Sequence, residues 1–152
     1  VPVLAYSGQA VAAPPTAEWD RALARVEAAM EAEAAAHRVA DVADRHYDAV
    51  KRGQSGVATF LPAETLAAYN AKVQKACDVV AEAWRAREAA QEAGVEAGTA
   101  VEDALRTLLV LPASDLGAVA RKIDLSIRAD IDVEELYPVL ADLRRLGGRE
   151  MH

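Results

Sequence analysis

Apolar residues recur at helical spacing through most of this chain, and nowhere in the strict alternation of a half-buried strand. Trp19, Leu23, Val26 and Met30 step by four, three and four, which sets them on one face of a helix. The stripe continues through Glu33, His37, Ala40, Asp44 and Tyr47, so its second half is more polar. Thr16 suits the N-cap, and Glu18 and Asp20 in the first turn favour the helix dipole. The run Gly53-Gln54-Ser55-Gly56 is a turn signal. A first helix is predicted over about 16–51.

A heptad register follows. Positions 66, 73, 80, 87, 94, 101 and 108 read Leu, Val, Val, Arg, Gly, Val and Leu, with Cys77, Trp84 and Leu105 at partner positions. Pro62 suits a first helical position, which predicts a second long helix over about 62–111. Gly94 and Gly98 lie inside it, and each costs roughly 1 kcal/mol against alanine in a helix interior, so a break at 94–98 is the alternative. Folding the loop at 51–61 into a hairpin places Tyr47 near Leu66, His37 across from Cys77 and Trp19 near Gly94. In that register the Trp19 ring covers Gly94 and Gly98, a large-against-small pairing that would let the two backbones approach.

Pro112 stops the long helix after Leu105, Leu108, Leu109 and Leu111. Ser114 is the expected cap of a short helix faced by Leu116, Val119, Ile123 and Ile127. Asp132 with Glu135 resembles a capping box, opening a last helix faced by Leu136, Leu140, Leu143 and Leu146. Pro138 is an alternative start for that helix, and Gly147 is its expected C-cap. The expected fold is therefore all-α: a long antiparallel, alanine-rich, coiled-coil-like hairpin over 16–111, then two short helices within 112–152 packed on its end. Residues 1–15, ending in Ala12-Ala13-Pro14-Pro15, carry no periodicity and read as a flexible or docked arm.

Composition narrows what such a fold can do. About one residue in four is alanine and aromatics supply only 5%. Helices of that composition leave little side-chain material for a deep pocket, which points to an interaction or scaffold protein rather than an enzyme. The net charge is −7, with acids outnumbering bases in each third of the chain. No segment forms a basic stripe, which argues against nucleic-acid binding. With the single cysteine, Cys77, no intramolecular disulfide is available, which suits a reducing compartment. No apolar run reaches 18 residues, so no membrane span is expected, and the first residues lack a signal peptide's charged and apolar regions.

Candidate chemistry is sparse. His37 and His46 stand two and a half turns apart and face nearly opposite sides, so they do not share a metal on their own. No His-Glu-x-x-His or Cys-x-x-Cys pattern occurs. Cys77 on the heptad stripe reads as a buried structural thiol. Arg87 and Gln91 interrupt the apolar stripe of the second helix, and Glu33 interrupts that of the first. They are either a polar layer that fixes register or partner, or a solvent-exposed seam. The residues expected to set register or contact a partner are thus Trp19, Glu33, Arg87, Gln91, Gly94 and Gly98. No catalytic residue, cofactor or metal ligand is expected.

The run from Ala104 through Leu111, Pro112-Ala113-Ser114-Asp115-Leu116 and on to Lys122-Ile123-Asp124 carries a resemblance, together with Trp19-Asp20 and the closing Asp142–Leu146. It resembles small uncharacterised alphaproteobacterial proteins, often from prophage-like or mobile regions, that join an alanine- and glutamate-rich helix to a Pro-Ala-x-Asp-Leu turn. The resemblance implies a bacterial or phage origin and a helical fold, and brings no activity. The functional expectation is a non-enzymatic accessory factor, cytoplasmic or virion-associated, that binds a protein partner or itself through the hairpin face. An acidic decoy for a basic host nucleic-acid-binding protein is the alternative.

Overall fold

The computed structural model describes residues 17–57, 59 and 61–148. Helix α1 spans Ala17–Gln54, α2 spans Leu66–Val110 and α3 spans Leu116–Arg128. A 3-10 turn at Val133–Leu136 leads into α4, Tyr137–Gly147. No strand occurs among the described residues. The expected arm, and Thr16 as a cap, lie outside them. The chain divides into two compact units, Val1–Glu27 with Glu102–His152, and Ala28–Val101.

The second unit is a hairpin of α1 and α2. α2 is one continuous helix through Gly94 and Gly98, as the heptads predict. Its start differs from expectation. Thr65, not Pro62, stands at the entry, and its Oγ1 accepts a hydrogen bond from the Ala68 N–H at 3.2 Å. Gly53 does not stop α1, which runs through it to Gln54. The connector then lies along the first turns of α2. Lys72 Nζ donates to the Thr59 carbonyl and to Glu64 Oε2, each at 3.0 Å, and Glu64 Oε2 also accepts from the Leu61 N–H.

That connector resets the register. Tyr47 meets Trp84, Asp44 meets Arg87, and Gly94 and Gly98 face His37 and Glu33. The partner of Tyr47 is therefore 84 rather than 66, a displacement of about five helical turns. A turn closed at 51–61 would have given the expected pairing. A connector lying alongside α2 consumes those turns instead, and the expected placements of Trp19 over Gly94 and of His37 across from Cys77 are corrected accordingly.

The first unit holds most of the buried apolar residues. Buried here are Trp19 and Val26 of α1, Leu105, Leu108 and Leu109 of α2, Val119 and Leu125 of α3, and Val139 of α4. At its centre sits a polar knot. Lys122 is fully buried, and its ammonium donates to the Leu109 carbonyl at 2.8 Å, the Leu111 carbonyl at 2.5 Å and Asp142 Oδ2 at 2.7 Å. It also lies 5.6 Å from the centre of the Trp19 ring. These carbonyls are among those a helix end leaves unpaired, and Pro112 prevents any continuation that would satisfy them. Asp142 Oδ1 accepts from the Ala113 N–H at 3.1 Å and from Arg145, which also donates to the Ala113 carbonyl. One lysine and one aspartate thus staple the Pro112 turn to α3 and α4. Trp19, Leu109, Leu111, Ala113, Lys122, Asp142 and Arg145, all within the segments that carry the sequence resemblance, meet in this knot.

Capping corrects three further expectations. Asp115, not Ser114, caps α3, accepting from the Ala118 N–H at 2.8 Å, while Ser114 donates to Asp115. Asp132 makes no side-chain cap; Glu135 turns instead to Arg106, which donates to both of its oxygens at 2.8 and 2.9 Å. Pro138 sits in the first turn of α4, and the C-cap is Gly148 rather than Gly147.

Candidate interaction surfaces

Periodicity predicts that α3 buries Leu116, Val119, Ile123 and Ile127. Only Val119 is buried. The inward face is Val119, Lys122, Leu125 and Ser126, because the unpaired carbonyls after α2 demand a cation there. That rotation carries Leu116, Ile123 and Ile127 outward, with Leu116 at 53% and Ile127 at 73% exposure. α4 repeats the inversion. Asp142 and Val139 are buried, while Leu140 and Leu143 of the expected core stripe are exposed. Ala113, just before α3, meets Arg145 near the end of α4, and Lys122 midway along α3 meets Asp142, so the two helices run in opposite directions.

At 100° per residue, Leu116, Ala120, Ile123 and Ile127 fall within a narrow arc of α3, and Leu140 and Leu143 within one of α4. On α4 the arc lies opposite Pro138, Ala141 and Arg145, which border the end of α2, and on α3 it lies opposite buried Leu125 and away from Arg121, which reaches Glu27 of α1, so both arcs point away from α1 and α2. Asp124 and Arg128 edge the first arc, and Arg144 edges the second. Asp124 makes two long ion pairs along its own helix, to Arg121 at 3.6 Å and Arg128 at 3.9 Å, and Arg144 makes none among the described residues.

The hairpin unit carries a second surface, an open groove of about 600 Å³ beside the connector, lined by Tyr47, Val57, Val73, Cys77, Val80 and Trp84 among others. Cys77, expected to be buried, is exposed at its edge. One turn along, Arg87 Nε donates to Asp44 Oδ1 at 2.5 Å and Gln91 Nε2 donates to the same oxygen at 3.3 Å. The guanidinium lies 5.3 Å from the centres of both the Tyr47 and Trp84 rings. Arg87 and Gln91 therefore belong to one polar layer, with Asp44 as the partner that periodicity did not single out. Glu33 and His37 lie two to three turns away, 3.8 Å apart, beside Gly98 and Gly94. Trp19 belongs to the other unit and joins neither group. Among the described residues, no three acidic, histidine or cysteine side chains gather as a metal site would require.

The charged groups respond to these surroundings. Burial pushes the Asp142 carboxyl up, but the hydrogen bonds from Lys122, Ala113 and Arg145 outweigh it and hold the group below its ordinary range. The hydrogen bond to Asp44 holds Arg87 more firmly protonated, and that to Glu135 does the same for Arg106. Glu135 is lowered by the same contact.

No protein-family model matches this sequence, and neither a curated protein nor a solved structure matches it.

Proposed function

We propose that this chain is a helical interaction protein, an accessory or scaffold factor that acts by binding protein rather than by chemistry. The observation that carries this reading is the inversion in the first unit. Two helices bury lysine, serine and aspartate and present leucine and isoleucine outward. Contiguous exposed apolar surface of this kind marks an interaction site. Its formation on two packed helices, instead of a loop, makes it a preformed surface. The resemblance to proteins of prophage-like regions supports an accessory role in a phage or mobile element.

The test compares capture by the full wild-type chain with capture by Ile127→Asp and Leu140→Asp, from nuclease-treated bacterial lysate. Both side chains are exposed, so both variants should fold, which circular dichroism checks. A stoichiometric protein, another or the chain itself, that is retained by wild type and lost from both variants is the expected result. Identical capture by all three chains would sink the reading.

A further inference from the structure

We infer that the outward face of α3 and α4 is an interface for a second copy of this chain, closing an antiparallel four-helix bundle about a twofold axis. The inference rests on the interaction reading above and names its partner.

The geometry suits a copy of itself. A twofold axis along the helices, midway between α3 and α4, lays each α3 over the partner subunit's α4. Because α3 and α4 already run in opposite directions, every neighbouring pair in the resulting bundle is antiparallel, a common packing of short helices. The two arcs are of similar length, 13 residues in α3 and 11 in α4, so neither overhangs the other by more than one turn. Such a contact is isologous: the same patch serves both sides and closes without further growth.

Charge gives the second argument. The outer edge of the α3 arc carries Asp124 and, one turn on, Arg128, and the outer edge of the α4 arc carries Arg144. Twofold stacking brings the edge of α3 to the edge of the opposing α4, which sets acid against base twice. A patch edged by one sign alone would repel its own copy. This one carries both signs: Asp124 holds only long pairs to Arg121 and Arg128 of its own helix, and Arg144 has no ion pair within its own chain among the described residues.

Area gives the third. The exposed parts of Leu116, Ile123, Ile127, Leu140 and Leu143 amount to roughly 400 Å² of apolar surface, against about 800 Å² that each partner contributes to a standard interface. About half of such a footprint would then be apolar, somewhat below the share usual between identical chains, with the charged edges supplying the rest.

The test is the mass in solution of the full chain over a concentration series, by light scattering and sedimentation. Wild type is expected as a dimer. Ile127→Asp or Leu140→Asp should raise the dissociation constant roughly tenfold or more, as loss of a central apolar anchor does. Asp124→Arg should weaken the dimer and Asp124→Arg with Arg144→Asp should restore it, a rescue that general misfolding would not give. A monomer at every concentration, or a dimer indifferent to all four variants, overturns the inference. A monomer that still captures another protein through Ile127 would leave the interaction reading standing and fail only the self-association.

Discussion

Lys122 on α3 and Asp142 on α4 meet at 2.7 Å inside the core of the first unit, and each is also tied to the backbone around Pro112. Removing one partner of a buried ion pair costs about 3–5 kcal/mol, because the other charge is stranded. Asp142→Ala and Lys122→Met are each expected to lose stability on that scale in urea unfolding. A buried pair can often be replaced by two apolar residues at little cost, but here the double variant should not recover. The Leu109 and Leu111 carbonyls and the Ala113 N–H would remain unpaired. A double-mutant cycle in which the pair of changes proved neutral would show that the knot is dispensable.

Acid should weaken the same unit. The Asp142 carboxyl sits below its ordinary value of 3.8, and Asp115 and Glu135 are lowered as well, by the Ala118 N–H and by Arg106. For a group lowered in the folded state, the unfolded chain binds the proton more readily. Its stabilisation is complete above the ordinary value and is lost as pH falls through the folded one. Thermal midpoints should therefore hold steady from about pH 7 to about pH 5 and fall as pH drops below about 4. Asp142→Asn should flatten part of that fall. A midpoint that rose on acidification would contradict the assignment.

Asp130, just after α3, adopts a φ of 50°. Its N–H donates to the Ile127 carbonyl at 3.2 Å and the Ile131 N–H to the Ser126 carbonyl at 3.1 Å, the paired bonds of a Schellman cap. A left-handed conformation costs a branched residue about 1 kcal/mol and glycine far less. Asp130→Gly is expected to raise stability by about 0.5 kcal/mol, after the extra entropy of glycine in the unfolded chain is subtracted. Asp130→Val should lower it, and denaturant midpoints separate the two.

In the hairpin, Gly94 is not held by close approach of a large ring. A Cβ there would lie 3.9 Å from His37 Nδ1, an ordinary contact. Gly94→Ala should stabilise the helix by about 0.5–1 kcal/mol, read as a rise of a few degrees in Tm. At Gly98 the Cβ would come within 3.3 Å of Glu33 Oε1, so that side chain must yield, and Gly98→Ala should gain less. A loss at Gly94 would show that His37 crowds the site after all.

The helices themselves were legible because periodicity and caps act locally. Trp19 and Val26, or Leu105 and Leu108, could be assigned inward from spacing alone. The faces of α3 and α4 were not, because a stripe of leucine and isoleucine looks the same whether it meets its own core or a partner. Lys122 counts as a surface residue until the carbonyls of Leu109 and Leu111 are seen to need it. Register was lost for a different reason: it depends on Lys72 reaching Thr59 and Glu64 in the connector, contacts that no repeat encodes. Cys77 lay on the heptad stripe, yet that stripe is buried only farther along, from Gly94 onward. The Arg87 and Gln91 layer could be anticipated as an interruption, but its acceptor, Asp44, could not.

The seam of α2 changes character along a single unbroken helix. Leu66 is exposed, Val73 and Val80 are half-covered, and Val101, Leu105 and Leu108 are buried. Backbone hydrogen bonds are protected from exchange only as long as their surroundings resist opening. Amide hydrogens near Leu105 should therefore outlast those near Val73 by orders of magnitude in deuterated solvent, although both belong to the same helix. α2 is one element by geometry and a graded one by lifetime, able to fray from its start while its end stays locked.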